Sequence, residues 1–206
     1  MILARRLVHL YAGLALFGVS AALQVRADLG LSAWDVFHQG VSRLSGLSMG
    51  VVVIIASVAV LLLWIPLRER PGLGTLSNVV LVGLGIDVTL RLVPTLQSMG
   101  VRIPLLLGAV VLNGLATALY ISARFGPGPR DGLMTGLRRR TGRSTRLVRT
   151  GIEVTVLLLG FLLGGSIGVG TLLYALAIGP LIQFFQRWCA LPEPPEKPVV
   201  APARAD

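Results

Sequence analysis

Six stretches of roughly 20 mostly apolar residues, all but the last two separated by arginine-bearing breaks, decide what this chain can fold into. They are Leu7 to Val25, Met49 to Leu67, Leu73 to Leu92, Ile103 to Ala123, Leu147 to Leu163 and Val169 to about Phe185. Each approaches the length a helix needs to cross about 30 Å of hydrocarbon. Apolar residues make up 54% of the chain, charged residues only 14%, and the mean hydropathy is +0.80. That balance excludes a soluble domain. In lipid every backbone N–H and C=O must be satisfied within the spanning segment, so the expected fold is an all-α membrane protein with six transmembrane helices.

The chain also repeats itself. Set against itself at a shift of 96 residues, it aligns without a gap from Arg6 to Arg91, with 27 of 86 pairs identical. Leucine on leucine is uninformative in such a composition. The pairs Gly30/Gly126, Asp35/Asp131, Arg43/Arg139, Ser48/Ser144, Gly74/Gly170 and Thr75/Thr171 are not, and they mark two copies of one unit. Residues 1–96 form the first three-helix repeat, 97–190 the second, and 191–206 a proline-rich tail expected to be disordered. Three spans per copy place the second copy in the membrane upside down, a 3+3 inverted-topology repeat.

Charge tests that topology independently. With the N-terminus inside, 15 of the 19 Lys and Arg residues fall on the cytoplasmic side, leaving Arg26, Arg43, Arg91 and Arg102 outside. Both termini are then cytoplasmic, in a cytoplasmic (plasma) membrane. The net charge of +10 is therefore a topology signal rather than a nucleic-acid footprint, since no aromatic residues interleave with the arginines. A single cysteine, Cys189, and two histidines, His9 and His38, leave no plausible ligand set for a metal. No metal and no cofactor is expected.

In each copy a segment too short to cross the bilayer, Asp35 to Ser45 and Asp131 to Thr141, follows a glycine-containing turn at Gly30 or Gly126. Each reads as a short interfacial or re-entrant helix. Asp35 and Asp131 open these helices, either as N-caps facing the positive helix end or as groups lining a central cavity. Asp87 lies about 20 Å along its span, where an ionisable group is costly and by default functional. A pairing with Arg91, one turn later, is the simpler alternative. Its repeat partner is Gln183. Arg149 and Glu153 have i,i+4 spacing and read as a structural salt bridge. Gly74 and Gly170 serve turns at span starts, and Gly179-Pro180 should break or kink the last span. Gly18-xxx-Ala22 and Gly114-xxx-Ala118 are small-residue pairs that let helices approach.

Two enzyme-like patterns fail on context. Gly126-Pro127-Gly128 lacks the spacing and lysine of a phosphate loop. Gly46-Leu47-Ser48-Met49-Gly50 matches a nucleophile elbow in letters but precedes a membrane span and has no histidine base in view. No catalytic residues are assigned, and an enzyme is not expected.

Gly126 to Met134 (Gly-Pro-Gly-Pro-Arg-Asp-Gly-Leu-Met), Arg149-xxx-Glu153, Leu163 to Thr171, Ile178-Gly179-Pro180 and Trp34 to His38 resemble the bacterial YczE/YyaS/YitT family of integral membrane proteins. The resemblance covers about Arg5 to Arg187. It implies a multi-pass protein of a mostly uncharacterised bacterial family, some of whose members are described as permeases. No ligand-binding residue carries over from it.

The expected function is that of a small secondary transporter for an unidentified small solute, with Asp87, Gln183, Asp35 and Asp131 as cavity candidates. A homodimer in the lipid bilayer is a further expectation. The competing reading is a non-transporting membrane scaffold or regulator that docks a partner or anionic head groups on Arg138 to Arg149.

Overall fold

The structure is a computed structural model that describes residues 2–191. The expected tail therefore lies outside the described residues, apart from Leu191. Eight helices follow one another in the described chain: α1 (Ile2–Ala27), α2 (Ala33–Ser45), α3 (Met49–Leu67), α4 (Leu73–Leu92), α5 (Met99–Ser122), α6 (Pro129–Thr141), α7 (Thr145–Leu162) and α8 (Val169–Cys189). Two are the short helices, and α3 and α4 have the bounds expected from sequence.

Starts are set by local chemistry. Ser32, Ser48 and Ser144 cap α2, α3 and α7, each side chain accepting from the backbone N–H three residues on. This corrects the expectation that Asp35 and Asp131 are N-caps. Ser32 and Gly128 hold the cap positions, and the aspartates sit one turn inside. Ser32 donates its hydroxyl to Asp35 Oδ2 at 2.5 Å and accepts from the Asp35 N–H, a reciprocal arrangement in which each satisfies the other.

Five helices (α1, α3, α4, α5 and α8) are long and apolar enough to cross a membrane. The expected fifth span, α7, falls short because Arg146, Arg149 and Glu153 dilute its 18 residues. Gly179-Pro180 was expected to break or kink the last span; it makes no break, and α8 is continuous through Pro180. One lost backbone bond is a smaller penalty in lipid than a break, which would free several N–H and C=O groups at once.

The centre of the bundle is α1 laid antiparallel on α5. Arg6 meets the carbonyl of Ala123 at one end, Asn113 meets Ser20 in the middle, and Ala27 packs with Leu106 at the other. Leu10, Leu14, Ala21 and Ala22 join Met49, Val53, Val82, Ile86 and Tyr120 in the main apolar core. The outer surface is apolar too, with Leu62, Ile65, Leu92, Leu162, Val169 and Leu176 all exposed. Such a surface suits lipid and no aqueous phase.

Contacts between the halves recur in pairs 96 residues apart. Arg6 Nε donates to the Ala123 carbonyl at 2.9 Å, and Arg102 Nε to the Ala27 carbonyl at 2.7 Å. Gly74 N–H donates to the Phe125 carbonyl at 2.8 Å, and Gly170 N–H to the Leu29 carbonyl at 2.7 Å. Arg139 donates to the Leu67 carbonyl, closing off α3, and Arg43 to the Gly164 carbonyl beyond the end of α7. Gly30 and Gly126 have φ of 111° and 113°, and a Cβ on either would lie within 3 Å of Thr171 or Thr75 Oγ1. Glycine is required there on both grounds, conformation and space.

Candidate functional site

The first turns of α2 and α6 are buried and their last residues are exposed. Val36 and His38 are almost fully enclosed, as are Pro129, Gly132 and Leu133, whereas Ser45 and Arg138 to Thr141 face outward. Glycine lets these short helices in. A Cβ on Gly132 would stand 1.9 Å from the Trp64 ring, and Gly40 and Gly160 are similarly pressed between α2 and α7. Trp64 also donates its indole N–H to the Pro129 carbonyl at 3.0 Å, holding the start of α6.

Where the two helix starts approach, Arg130 reaches from α6 toward α2. Its guanidinium lies 3.8 Å from Asp35 Oδ1 and stacks over the Trp34 ring at 4.9 Å. Asp35 is 4% exposed, so its charge stands on this arginine, on the Ser32 hydroxyl and on the positive end of α2. His38 Nδ1 faces the same carboxylate at 3.5 Å without a hydrogen-bond partner of its own. Asp131 accepts from the Tyr120 hydroxyl at 2.7 Å.

A second polar chain runs beside it. Tyr174 donates to Asn113 Oδ1 at 2.9 Å, and the Asn113 amide donates to Ser20 Oγ at 2.7 Å, joining α8, α5 and α1. Gln24, on the same face of α1 as Ser20, is fully buried with neither amide atom bonded. Buried polar groups in such numbers are costly away from water, and their convergence from both halves marks a site.

The structure divides the candidates foreseen from sequence. Asp35 faces Arg130 of α6, whereas Asp131, the next residue, is held by the Tyr120 hydroxyl. Asp87 stands apart from both, and it takes neither the central position nor a simple Arg91 pairing as its main contact. Its carboxylate accepts from the Ser48 hydroxyl and from the Gly50 N–H at 2.8 Å, capping α3 from a neighbouring helix. There it lines an open depression of about 350 Å³ with Gln39, Arg43 and Arg91. Gln183 is exposed on α8. Arg149 and Glu153 form their expected pair at 2.9 Å.

Arg130, Tyr120, Tyr174, Ser20 and Gln24 were not singled out from sequence. Arg130 counted as one more topology arginine, and single tyrosines or serines in apolar runs carry no spacing signal. Asn113 is a polar residue within an apolar span, and such residues are the signal by which a buried polar chain can be sought in sequence.

A helical bundle whose long apolar helices enclose a buried polar centre and present an apolar exterior is a multi-pass membrane protein. The chain belongs to the family of unknown function DUF6198, whose model matches residues 4–187. It is 40% identical over 172 residues to an uncharacterised protein of Haemophilus influenzae, covering 84% of this chain and 79% of that one. It is 37% identical over 177 residues to the uncharacterised membrane protein YczE of Bacillus subtilis, covering 84% and 82%. To the uncharacterised protein YyaS of Bacillus subtilis it is 30% identical over 177 residues, covering 84% and 88%. No solved structure matches.

Proposed function

We propose that this protein is a small secondary transporter of the bacterial cytoplasmic membrane, built as two inverted three-helix repeats. Six helices span, with α7 the sixth, and α2 and α6 are re-entrant. The termini are cytoplasmic, as the arginine distribution favours. The pairing of Arg149 with Glu153 lowers the penalty of placing α7 in the bilayer. The observation that carries the reading is the meeting of the two short-helix starts, one from each half, at Asp35 and Arg130. Half-helix ends converging between repeats are the usual site of substrate and coupling ions in repeat-built carriers. A small polar or charged solute would exchange contacts with this buried ion pair.

The test is flux. Purified protein in liposomes, challenged with a panel of amino acids, organic acids, amines and inorganic ions, should move at least one of them. Asp35→Asn and Arg130→Gln should each abolish that movement while the protein still inserts. Insertion with no flux from wild type for any solute would overturn the reading.

A regulatory scaffold is the second reading, favoured by the exposed Arg138, Arg140 and Arg143 at the α6–α7 junction. Neutralising those three would then remove a partner and leave Asp35 and Arg130 variants without effect.

A further inference from the structure

The two halves differ at one seam. In the first, α3 and α4 touch backbone to backbone: a Cβ on Gly83 would lie 2.5 Å from the Gly50 carbonyl, and one on Gly50 would lie 2.1 Å from the Gly83 carbonyl. Asp87 on α4 fastens the seam by capping the start of α3. The equivalent residues in the second half are Arg146 for Gly50, Gly179 for Gly83 and Gln183 for Asp87. A Cβ on Gly179 would meet nothing within 4 Å, Gln183 is exposed, and Gly160 is the only buried residue of α7. α7 is held by α2 and α6 and stands away from α8. Arg130, the partner of the buried Asp35, keeps its side chain 30% exposed.

We propose that these two seams are the alternating gates of the carrier: Asp87 is the latch of the α3–α4 gate, and Gln183 is the latch of the α7–α8 gate. The proposal rests on the transporter reading and on its inverted topology. Under that topology the shut α3–α4 seam is on the outer side and the parted α7–α8 seam on the cytoplasmic side, so the structure is an inward-open state. In the other state, Gln183 reaches Ser144 and the Arg146 N–H as Asp87 now reaches Ser48 and the Gly50 N–H. Glutamine is one methylene longer than aspartate, and that length suits a seam where Arg146 brings a Cβ and Gly50 brings none. A charged latch outside and a neutral one inside also favour the inward-open state, because hydrogen bonds to an ionised acceptor are the stronger. Asp87 and Gln183 are positioning residues, and neither is assigned contact with the solute.

Distance measurements between spin labels in lipid bilayers test this. With Cys189 replaced by alanine, one label pair at Val51 and Val88 reports on the first seam, and a pair at the equivalent Leu147 and Phe184 reports on the second. All four side chains are exposed. Wild type should show a short Val51–Val88 distance and a mainly long Leu147–Phe184 distance with a shorter minor component. Asp87→Leu should lengthen the first and enlarge the short component of the second. Gly179→Leu touches nothing in this structure, so it should fold, yet it should erase that short component and stop flux. A single Leu147–Phe184 distance unchanged by either substitution would overturn the gates, even with flux intact. Switching distances in a protein that moves no solute would uphold the gates and remove the transport reading.

Discussion

The α3–α6 contact and its counterpart, α7 against α2, are both close, but by different means. On α3 the large residue is Trp64, and it presses into the hollow left by Gly132 on α6. At the equivalent positions Gly160 on α7 meets the main chain of Val36 and Phe37 on α2, with no side chain between them. Both contacts depend on a glycine, which makes room for a ring in one and for a backbone in the other. The α3–α4 seam and the α7–α8 seam show the opposite outcome. There the substitution of Arg146 for Gly50 has no compensating loss across the gap, and the helices stand apart. Where each half keeps a glycine at the interface it has kept the contact, and where Arg146 replaces one the helices do not pack.

Substitutions at paired positions can break this comparison, and the largest effect belongs to the tightest hollow. Gly132→Ala puts a methyl into the Trp64 ring and should cost about 3 kcal/mol, read as loss of folded protein in a thermal or denaturant titration. A smaller residue at Trp64 should recover part of that. Next comes the pair that separates the seams: Gly83→Ala should cost about 2 kcal/mol, and Gly179→Ala less than about 0.5 kcal/mol. Equal effects would mean that the seams are alike. Asn113→Leu leaves the Tyr174 and Ser20 hydroxyls without their shared partner and should cost about 1–3 kcal/mol by the same measurement. The smallest change is expected at the half-exposed Arg149–Glu153 pair. Glu153→Gln should cost about 0.5 kcal/mol in detergent, and a clearly larger loss in bilayers would place the pair in low dielectric.

Much of the helical framework was legible in advance because it depends on neighbours in the chain. Ser48 stands directly before an apolar run and Ser144 two residues ahead of one, and each caps the helix that follows. Thr75 and Thr171 accept from the Gly72 and Gly168 N–H groups, closing turns three residues long. The 96-residue shift foretold pairs such as Gly30 and Gly126 because equal local constraints select equal residues. Prolines were the exception. The penalty of Pro180 depends on whether the helix around it has an alternative, and in an apolar setting it has none.

The polar centre was legible only in part. Asp35 and Asp131 drew notice as carboxylates in the two repeated turns. That Arg130 would turn to Asp35, and not to the aqueous side with its neighbours, depends on Trp34 lying within reach from a helix nearly a hundred residues earlier. Likewise Asp87 carries no sign in its own segment that it will cap α3.

By itself the sequence determined that this is a multi-pass helical membrane protein, roughly where its apolar helices lie, and that its sequence repeats at a shift of 96 residues. These follow from apolar length, capping residues and self-similarity, all of which act over a few turns of chain. Tertiary structure alone decided which buried polar groups meet, which seam is shut and which helix stands apart. Those outcomes depend on how volumes and charges from distant segments complement one another, and no stretch of sequence contains both sides of such a contact.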